Sequence, residues 1–340
     1  MTHTLKRRLV FLSFLGLTLL LLGTVTSAYS AGNLSFGFKL GGGLGYLFNG
    51  AGDLEKTRLG AQNYAADWVE PGYTSTFDWK KVSFVPDFRF EAQVRFNGFG
   101  VGLGTGYLFL TSKGQYSLDH LHTEYPWWGE YTHQYEDFYD RSYKLTAIPI
   151  SLNFYYFLPV DGMDMYVFAG PSIYFGSLTH DLVNNFYEQY EDSSWWFWNE
   201  AYNYEANLVG QEKATSTAFG FQGGVGLEIP ISPNFALAVE AYGRFASFSN
   251  WTGDWTVNGD FFYEEYYEPW GWWYSDTWSS SAGGTGTWWF DEYYVSWSGN
   301  WYGEMWISAT APSGSGVRNV QKASLNLNSI GIVFSGIIRF

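Results

Sequence analysis

The chain contains no cysteine among its 340 residues, and only 15% of its residues are charged. Without cysteine, disulfide scaffolds, cysteine-ligated metal sites and thiol catalysis are excluded. Basic residues are scarce as well: 18 Lys and Arg stand against 33 Asp and Glu, which gives a net charge of −15. This balance argues against nucleic-acid binding, which requires clustered Lys and Arg. The aromatic content of 22% is too high for a disordered polar chain.

Long hydrophobic runs are also missing, except for one at the amino terminus. Basic residues 6–8 precede the apolar run 9–22, and small residues follow it. This order is typical of a secretory signal peptide, and the run is shorter than the ~20 residues of a membrane-spanning helix. We therefore predict a signal peptide over residues 1–28, cleaved after Ala28. Cleavage after Ala31 and an uncleaved membrane anchor are the less favoured alternatives.

Beyond residue 31 the chain repeats a two-residue alternation. Leu34, Phe36, Phe38 and Leu40, for example, alternate with small, polar or basic residues. Such alternation predicts β-strands with one apolar face. A soluble sandwich also alternates, but here the second face is rich in glycine, as expected where side chains crowd inside a narrow barrel. Eight such segments cover residues 34–48, 87–96, 99–109, 148–156, about 165–175, 219–229, 235–245 and 330–340.

The connections between these segments alternate in length. Asn97-Gly98 is the strongest sequence signal for a two-residue hairpin, and short turns are also predicted near 158–164 and 230–234. Short turns on one side and long loops on the other are typical of outer-membrane barrels. We therefore predict an all-β fold, an eight-stranded antiparallel up-and-down transmembrane β-barrel over residues 29–340. Its long extracellular loops are predicted at about 49–84, 111–143, 176–214 and 246–323.

The alternation places the charged residues of the strands on the inner face. A charge that faces lipid costs roughly 2–4 kcal/mol at the bilayer midplane, so an inward position is what a membrane barrel requires. Because an eight-stranded barrel is just wide enough for its own side chains, we predict that these charges pair and fill the lumen. The alternative is that Arg89, Glu91 and Glu240 line a narrow path for ions. The predicted network comprises Lys39, Asp87, Arg89, Glu91, Arg95, Glu228, Glu240 and Arg244, and Arg339 also faces inward.

The last six residues, 335–340, read Ser-Gly-Ile-Ile-Arg-Phe. A polar residue, a glycine, a hydrophobic residue and a final aromatic residue in this spacing resemble the carboxy-terminal assembly signal of outer-membrane barrels. With the signal peptide and the alternating strands, the chain resembles the OmpA-like eight-stranded outer-membrane β-barrels over its strands, though not over its loops. The resemblance implies a position in outer-membrane lipid and recognition of Gly336, Ile338 and Phe340 by the barrel-assembly machinery.

The sequence shows no catalytic constellation. The histidines beyond the signal peptide are His120, His122, His133 and His180, all in predicted loops, and no Ser/His pair occurs at recognisable strand spacing. Nucleophilic catalysis needs an activated nucleophile beside a base. A metal ion held by His120 and His122 is a weaker alternative to solvated side chains. We therefore predict that the protein is not an enzyme and uses no cofactor.

Tryptophan is concentrated in the predicted loops, with clusters at 127–128 and 195–198 and the largest number in the fourth loop. Alternation that ends at Ser298-Gly299-Asn300 predicts a β-hairpin there. The aromatic residues either pack into an ordered cap or recognise a surface glycan or protein, because Tyr and Trp offer large contact areas at low entropic cost. A structural or surface-interaction role is therefore predicted, with a narrow ion or small-solute channel as the alternative. The candidate binding residues are Trp270, Trp272, Trp273, Trp288 and Trp289.

Overall fold

The computed structural model describes residues 34–68, 72–126, 129–194, 199–268 and 271–340. The predicted signal peptide, the two smaller Trp clusters and Trp270 lie outside these residues. Within the described ranges, no helix is both long enough and apolar enough to cross a membrane.

Fourteen strands in the described part of the chain join in one antiparallel sheet, accompanied by a single α-helix there. The strands are β1 (Leu34–Leu47), β2 (Tyr73–Trp79), β3 (Phe84–Phe96), β4 (Phe99–Glu124), β5 (Gly129–Val160), β6 (Met163–Ser194), β7 (Asn199–Ser232), β8 (Phe235–Phe248), β9 (Thr252–Tyr267), β10 (Trp272–Val295), β11 (Asn300–Ser308), β12 (Val317–Lys322), β13 (Leu325–Asn326) and β14 (Ser329–Arg339). The helix α1 spans Asp53–Asp67 and follows a short 3-10 turn at Phe48–Ala51.

Eight of these strands pair in a closed circuit. The pairing runs from β1 through β3, β4, β5, β6, β7, β8 and β14 and returns to β1, antiparallel at every step. Such a circuit has no open backbone edge, which is the condition for strands to lie in lipid. The predicted hairpin at Asn97-Gly98 is confirmed: Phe96 pairs with Phe99, and both turn residues have positive φ, as a type I′ turn requires.

The outer side of the circuit carries a band of exposed apolar side chains. Leu40 is 68% exposed, Phe219 74% and Phe334 63%. Along each strand the neighbouring side chains point inward and are buried or half-buried, so the two-residue period separates an apolar outer side from a polar inner side. The apolar band marks the part of the sheet that lies in the membrane.

A break in the last strand follows the sequence pattern. Leu325 and Leu327 have the opposite parity to Ile330, which predicts either a bulge near Asn328 or an exit of the chain from the bilayer there. The structure confirms the irregularity, because β13 ends before Asn328 and β14 begins after it. Leu325 and Leu327 are each 1% exposed, whereas Ile330 is 53% exposed. The carbonyl of Asn328 accepts the N–H of Phe48 at 2.9 Å, which fixes the break.

The prediction of eight strands separated by long loops is wrong for the rest of the chain. The predicted loops 111–143 and 176–214 instead continue the β4–β5 and β6–β7 hairpins in unbroken register. Loop 246–323 contains β9 to β12, and loop 49–84 contains α1 and β2. In these segments Tyr and Trp alternate with polar residues, and neither face of the strands carries a row of aliphatic residues. The sequence therefore lacks the lipid-facing signal by which the membrane strands are recognised.

Beyond the apolar band the sheet changes its partners. The part of β7 from Gly220 to Ser232 pairs with β8, whereas the part from Glu200 to Thr215 pairs with β9. There β10 pairs with β9, β11 and β12, and β2 pairs with β4. The circuit is therefore closed in the membrane and replaced by a larger sheet beyond it. We call this end of the molecule the extended end.

Candidate functional site

The lumen of the circuit contains buried ion pairs from facing strands. Asp87 on β3 accepts hydrogen bonds from Arg89, at 2.6 Å, and from Arg244 on β8. Asp87 is completely buried and Arg244 is 1% exposed. Lys39 on β1 is paired with Glu240 on β8, and the hydroxyl of Tyr166 donates to the same carboxylate at 2.9 Å.

The remaining predicted lumen residues divide between the interior and one rim. Glu91 forms no ion pair with any described residue, but it accepts hydrogen bonds from Asn153 and Tyr155, each at 2.6 Å. Arg95 pairs with Asp164 at 2.6 Å, and Glu228 pairs with Arg339. Four of these partners were not predicted from the sequence: Asn153, Tyr155, Asp164 and Tyr166. The alternation of the fourth segment places Asn153 and Tyr155 on the inner side, whereas the alternation of residues 165–175 does not by itself show which side of that segment faces the lumen.

Little space is left between these side chains. One cavity, about 30 Å³ in volume, lies among them. A volume of this size holds roughly one water molecule. Its lining includes Lys39, Arg89, Glu91, Asn153, Gln222 and Glu240.

Above the charged zone, an apolar cap closes the extended end of the lumen. Trp288 and Phe290 of β10 and Met305 and Ile307 of β11 are at most 3% exposed and belong to one cluster with inward residues of β4 to β8. The backbone N–H of Ile307 donates to Glu212 of β7 at 2.6 Å. Opposite it, Glu304 of β11 pairs with Arg141 of β5. Because β11 contacts both β5 and β7, it lies inside the space that these strands enclose.

The helix α1 completes this cap. Gly60 of α1 lies against Gly303 of β11, and a Cβ at Gly60 would come within 2.4 Å of the Gly303 carbonyl oxygen. Glycine at both positions therefore permits a close approach of helix and strand. At the end of the helix, the hydroxyl of Tyr302 donates to Asp67. Burial, followed by this hydrogen bond, raises the pKa of Tyr302 to about 12.

The burial of side chains in the cap contradicts part of the prediction of binding residues. Trp288 is fully buried, so it is a core residue and cannot contact a partner. Trp289 is half-buried, and its indole N–H donates to the carbonyl of Ser308 at 3.3 Å. In contrast, Trp272 is 50% exposed and Trp273 is 59% exposed. The predicted hairpin at 298–300 is confirmed, because Val295 pairs with Asn300 across it.

Beyond the cap, the inward side of the extended sheet is aromatic and half-exposed. Tyr190 stacks on Tyr202 at 5.3 Å with an interplanar angle of 10°. Phe261 stacks on Trp278 at 5.2 Å, also at 10°. We name this surface the distal aromatic face; it comprises Tyr131, His133, Tyr135, Phe186, Glu188, Tyr190, Tyr202, Tyr204, Phe261, Tyr263, Trp272, Tyr274 and Trp278.

Carboxylates lie within and below this face. Glu188 accepts the Tyr202 hydroxyl at 2.9 Å and lies 3.0 Å from a ring nitrogen of His133. Deeper in the sheet, Asp137 is only 4% exposed and accepts a hydrogen bond from Asn184 at 2.6 Å. Burial raises the pKa of Asp137 to about 6, although its hydrogen bonds and Arg141 oppose the shift.

The metal alternative gains no support from the geometry. The rings of His120 and His122 are stacked 5.9 Å apart, and that of His120 also stacks on Tyr73 at 3.7 Å. In the described part of the chain, no group of three or more His, Asp or Glu side chains is arranged to hold a metal ion.

The predicted assembly signal lies at the end of β14. Gly336 pairs with Leu40 of β1 and with Leu237 of β8, so it lies between the first and the seventh strands of the circuit. Ile338 is 51% exposed and Phe340 is 57% exposed, both on the outer side. The two hydrophobic positions of the motif therefore share the lipid-facing surface.

Comparison with known proteins identifies an outer-membrane family. The sequence matches the family model of the outer membrane protein beta-barrel domain over residues 17–262. Similar solved structures include a major outer membrane protein from Thermus thermophilus, at 14% identity over 90% of this chain and 99% of that chain, with a TM-score of 0.28. Another is the outer membrane protease OmpT from Escherichia coli, at 10% identity over 92% of this chain and 97% of that chain, with a TM-score of 0.23.

No curated protein matches the chain. The family match nevertheless covers most of its length. The chain therefore belongs to the outer membrane protein beta-barrel domain family, and its place is the outer membrane.

Proposed function

We propose that the protein is a non-enzymatic, OmpA-like barrel of eight membrane-spanning strands whose extended end lies outside the cell and binds a surface glycan or protein. The closed circuit of eight paired strands supports the strand number. The orientation follows from the short turns at one end and the long hairpins at the other, since outer-membrane barrels direct their long connections outward. Gly336, Ile338 and Phe340 are proposed to serve as the signal for the barrel-assembly machinery.

The observation that carries the proposal is the distal aromatic face. Its rings are half-exposed although they lie in ordered strands, and exposed aromatic patches usually mark partner sites. Tyr and Trp provide contact area with few rotatable bonds, so binding orders little else. The carboxylate of Glu188, held by Tyr202, adds an oriented acceptor for a hydroxyl or an N–H of a ligand.

The test replaces aromatic residues on this face without touching the cap. Trp272→Ala combined with Trp278→Ala is expected to abolish binding of the detergent-solubilised protein to immobilised surface glycans, or adhesion of cells that display it. Trp306→Ala is the matched control, because Trp306 is 41% exposed on β11 of the cap. Equal binding by the double variant and the control would contradict the proposal.

The channel alternative predicts a different measurement. The buried ion pairs, the small cavity and the apolar cap support a lumen closed to ions. In a planar bilayer the protein is therefore expected to show no steady conductance. A steady open level, altered by Arg89→Gln or Glu240→Gln, would favour the narrow channel instead.

A further inference from the structure

Strand β10 is paired differently along its two halves. From Thr287 onward it pairs with β11 on one side, and from Trp289 to Tyr293 it also pairs with β12. From Trp272 to Gly286 it pairs with β9 alone. No described residue pairs with its other edge there, and residues 271–285 are exposed. The free edge is roughly 50 Å long at the usual rise per residue.

The free edge lacks most of the features that usually protect an edge strand. Natural edges are kept short, carry Lys or Pro, or are covered by another element. Residues 272–286 contain no Pro, no Lys or Arg, and a single charged side chain, Asp276. At the opposite edge of the extended sheet, β2 spans only Tyr73–Trp79, is followed by Lys80-Lys81 and is contacted by α1. One edge is thus protected and the other is open.

An open edge of this kind offers a defined set of polar groups. Every second residue of β10 directs its N–H and C=O away from β9. These groups can bind an extended segment as an added strand, whose main-chain hydrogen bonds then supply most of the affinity.

The charge around the edge determines which kind of segment binds there. No Lys or Arg occurs between Arg244 and Arg318, whereas nine Asp and Glu residues do. Four of these acids lie one strand in from the edge. They are Asp254, opposite Thr285; Asp260, opposite Ser279; Glu264, opposite Ser275; and Glu265, opposite Tyr274. A cationic segment is therefore attracted to this edge, whereas an anionic segment is repelled.

Aromatic rings reinforce this preference. Trp273 and Trp278 project from the edge strand itself and are 59% and 42% exposed. An Arg or Lys side chain on a neighbouring strand comes within reach of such rings and is attracted to their faces.

We propose that the free edge of β10, residues 272–286, binds an extended cationic peptide segment of a partner protein by β-strand addition. This inference rests on the proposed surface-interaction function and names the chemistry of one partner. The peptide lies antiparallel or parallel to β10, with its basic side chains over the acids of β9.

The first test separates strand addition from charge attraction on the peptide side. The probe is a twelve-residue peptide that alternates Lys with Val, measured by fluorescence anisotropy against the full-length protein in detergent. Methylating alternate backbone nitrogens removes the donors on one edge and keeps the charge, so binding is expected to fall by about tenfold or more. The Glu–Val peptide is expected not to bind. Equal affinity of the methylated and unmethylated peptides would overturn the proposal.

The second test uses protein variants. Ser281→Lys places a protective lysine on the free edge, whereas Asn258→Lys places the same charge on β9, at the position paired with Ser281. We expect Ser281→Lys to weaken the peptide more than Asn258→Lys does. Hydrogen exchange is expected to slow at 272–286 and not in β2 when the peptide binds. Equal weakening, or no protection of β10, would contradict the proposal.

Failure of peptide binding at the free edge can be distinguished from failure of the proposed surface-interaction function. Ser281→Lys leaves the aromatic side chains of the distal face intact. Loss of peptide binding with retained glycan binding or cell adhesion supports the edge as a separate site. Failure of the peptide to bind the wild-type protein, with adhesion still dependent on Trp272 and Trp278, overturns the inference alone.

Discussion

The membrane lumen and the distal aromatic face both use the inward side of β5, β6 and β7, yet one is lined by buried ion pairs and the other by half-exposed rings. On β5, Tyr155 and Asn153 bind a buried carboxylate, whereas Tyr131 and Tyr135 at the far end of that strand are half-exposed rings. All four residues occupy odd-numbered positions, so their side chains point to the same side of β5. The two-residue period therefore decides which side a residue faces, and the surroundings of that side decide which residues it tolerates.

The closure of the sheet explains this difference. Within the eight-strand circuit there is little room for water, so every charge requires a partner. Beyond the cap, β7 exchanges β8 for β9 and the sheet has a free edge. Water reaches the inward rows there, and aromatic and acidic residues are tolerated without complete pairing.

The largest effect is expected when a lumen charge loses its partner. Asp87→Asn leaves Arg89 and Arg244 without their carboxylate in a buried site, so the free energy of unfolding should fall by about 3–5 kcal/mol. Urea unfolding in lipid vesicles measures this change. Asp181→Asn, which breaks the exposed pair with Lys144, is expected to cost less than about 1 kcal/mol. Equal losses for the two variants would show that the lumen is solvated.

A similar loss is expected in the cap. Trp288→Ala removes a fully buried ring and should cost about 3–5 kcal/mol. Since the cap closes the lumen, the variant is also expected to be digested by protease within β10 and β11 sooner than the wild type. Resistance equal to that of wild type would mean that the cap does not depend on this ring.

A smaller, pH-dependent effect is expected at Asp137. Its folded-state pKa of about 6 lies above the unfolded value of about 3.9. The stability linked to this proton is therefore present below pH 4 and is lost as the pH rises through 6. Asp137→Asn should stabilise the extended end by about 2–3 kcal/mol at pH 8 and have little effect at pH 4. Hydrogen exchange of the β5 amides at both pH values measures this difference, and a gain that does not depend on pH would refute the assignment.

The smallest effect on folding is expected on the distal aromatic face. Trp278→Ala should lower the free energy of unfolding by about 1 kcal/mol, because the ring is 42% exposed and loses mainly its stacking on Phe261. Loss of partner binding without a larger loss of stability would separate this face from the cap. A loss comparable to that of Trp288→Ala would show that the ring is structural.

The membrane part of the fold could be predicted because the residue pattern of each strand depends on its immediate surroundings and not on contacts with distant parts of the chain. Alternation indicated the strands and their faces, Asn97-Gly98 the first hairpin, and the parity of Leu325 and Leu327 the break at Asn328. Lipid on one side and crowding on the other leave few residue types for each position, so one strand can be interpreted without knowledge of its neighbours.

The extended end could not be predicted in the same way. Trp288 and Trp278 occur in similar aromatic surroundings in the sequence, but one is fully buried and the other is 42% exposed. Their difference depends on long-range contacts, because Trp288 pairs with Ile307 of β11 and joins the buried cluster of the cap. The partners Asp164 and Tyr166 were missed for the same reason, since β6 acquires its facing only from its register with β5 and β7.

The sequence by itself determined which residues face lipid, where the tight turns lie and that inward charges must be compensated, because these depend on the two-residue period and on the cost of charge in lipid. Only the tertiary structure decided which charges pair, which tryptophans form the cap and which edge of β10 stays open. Those features depend on strands far apart in the chain that meet in one register.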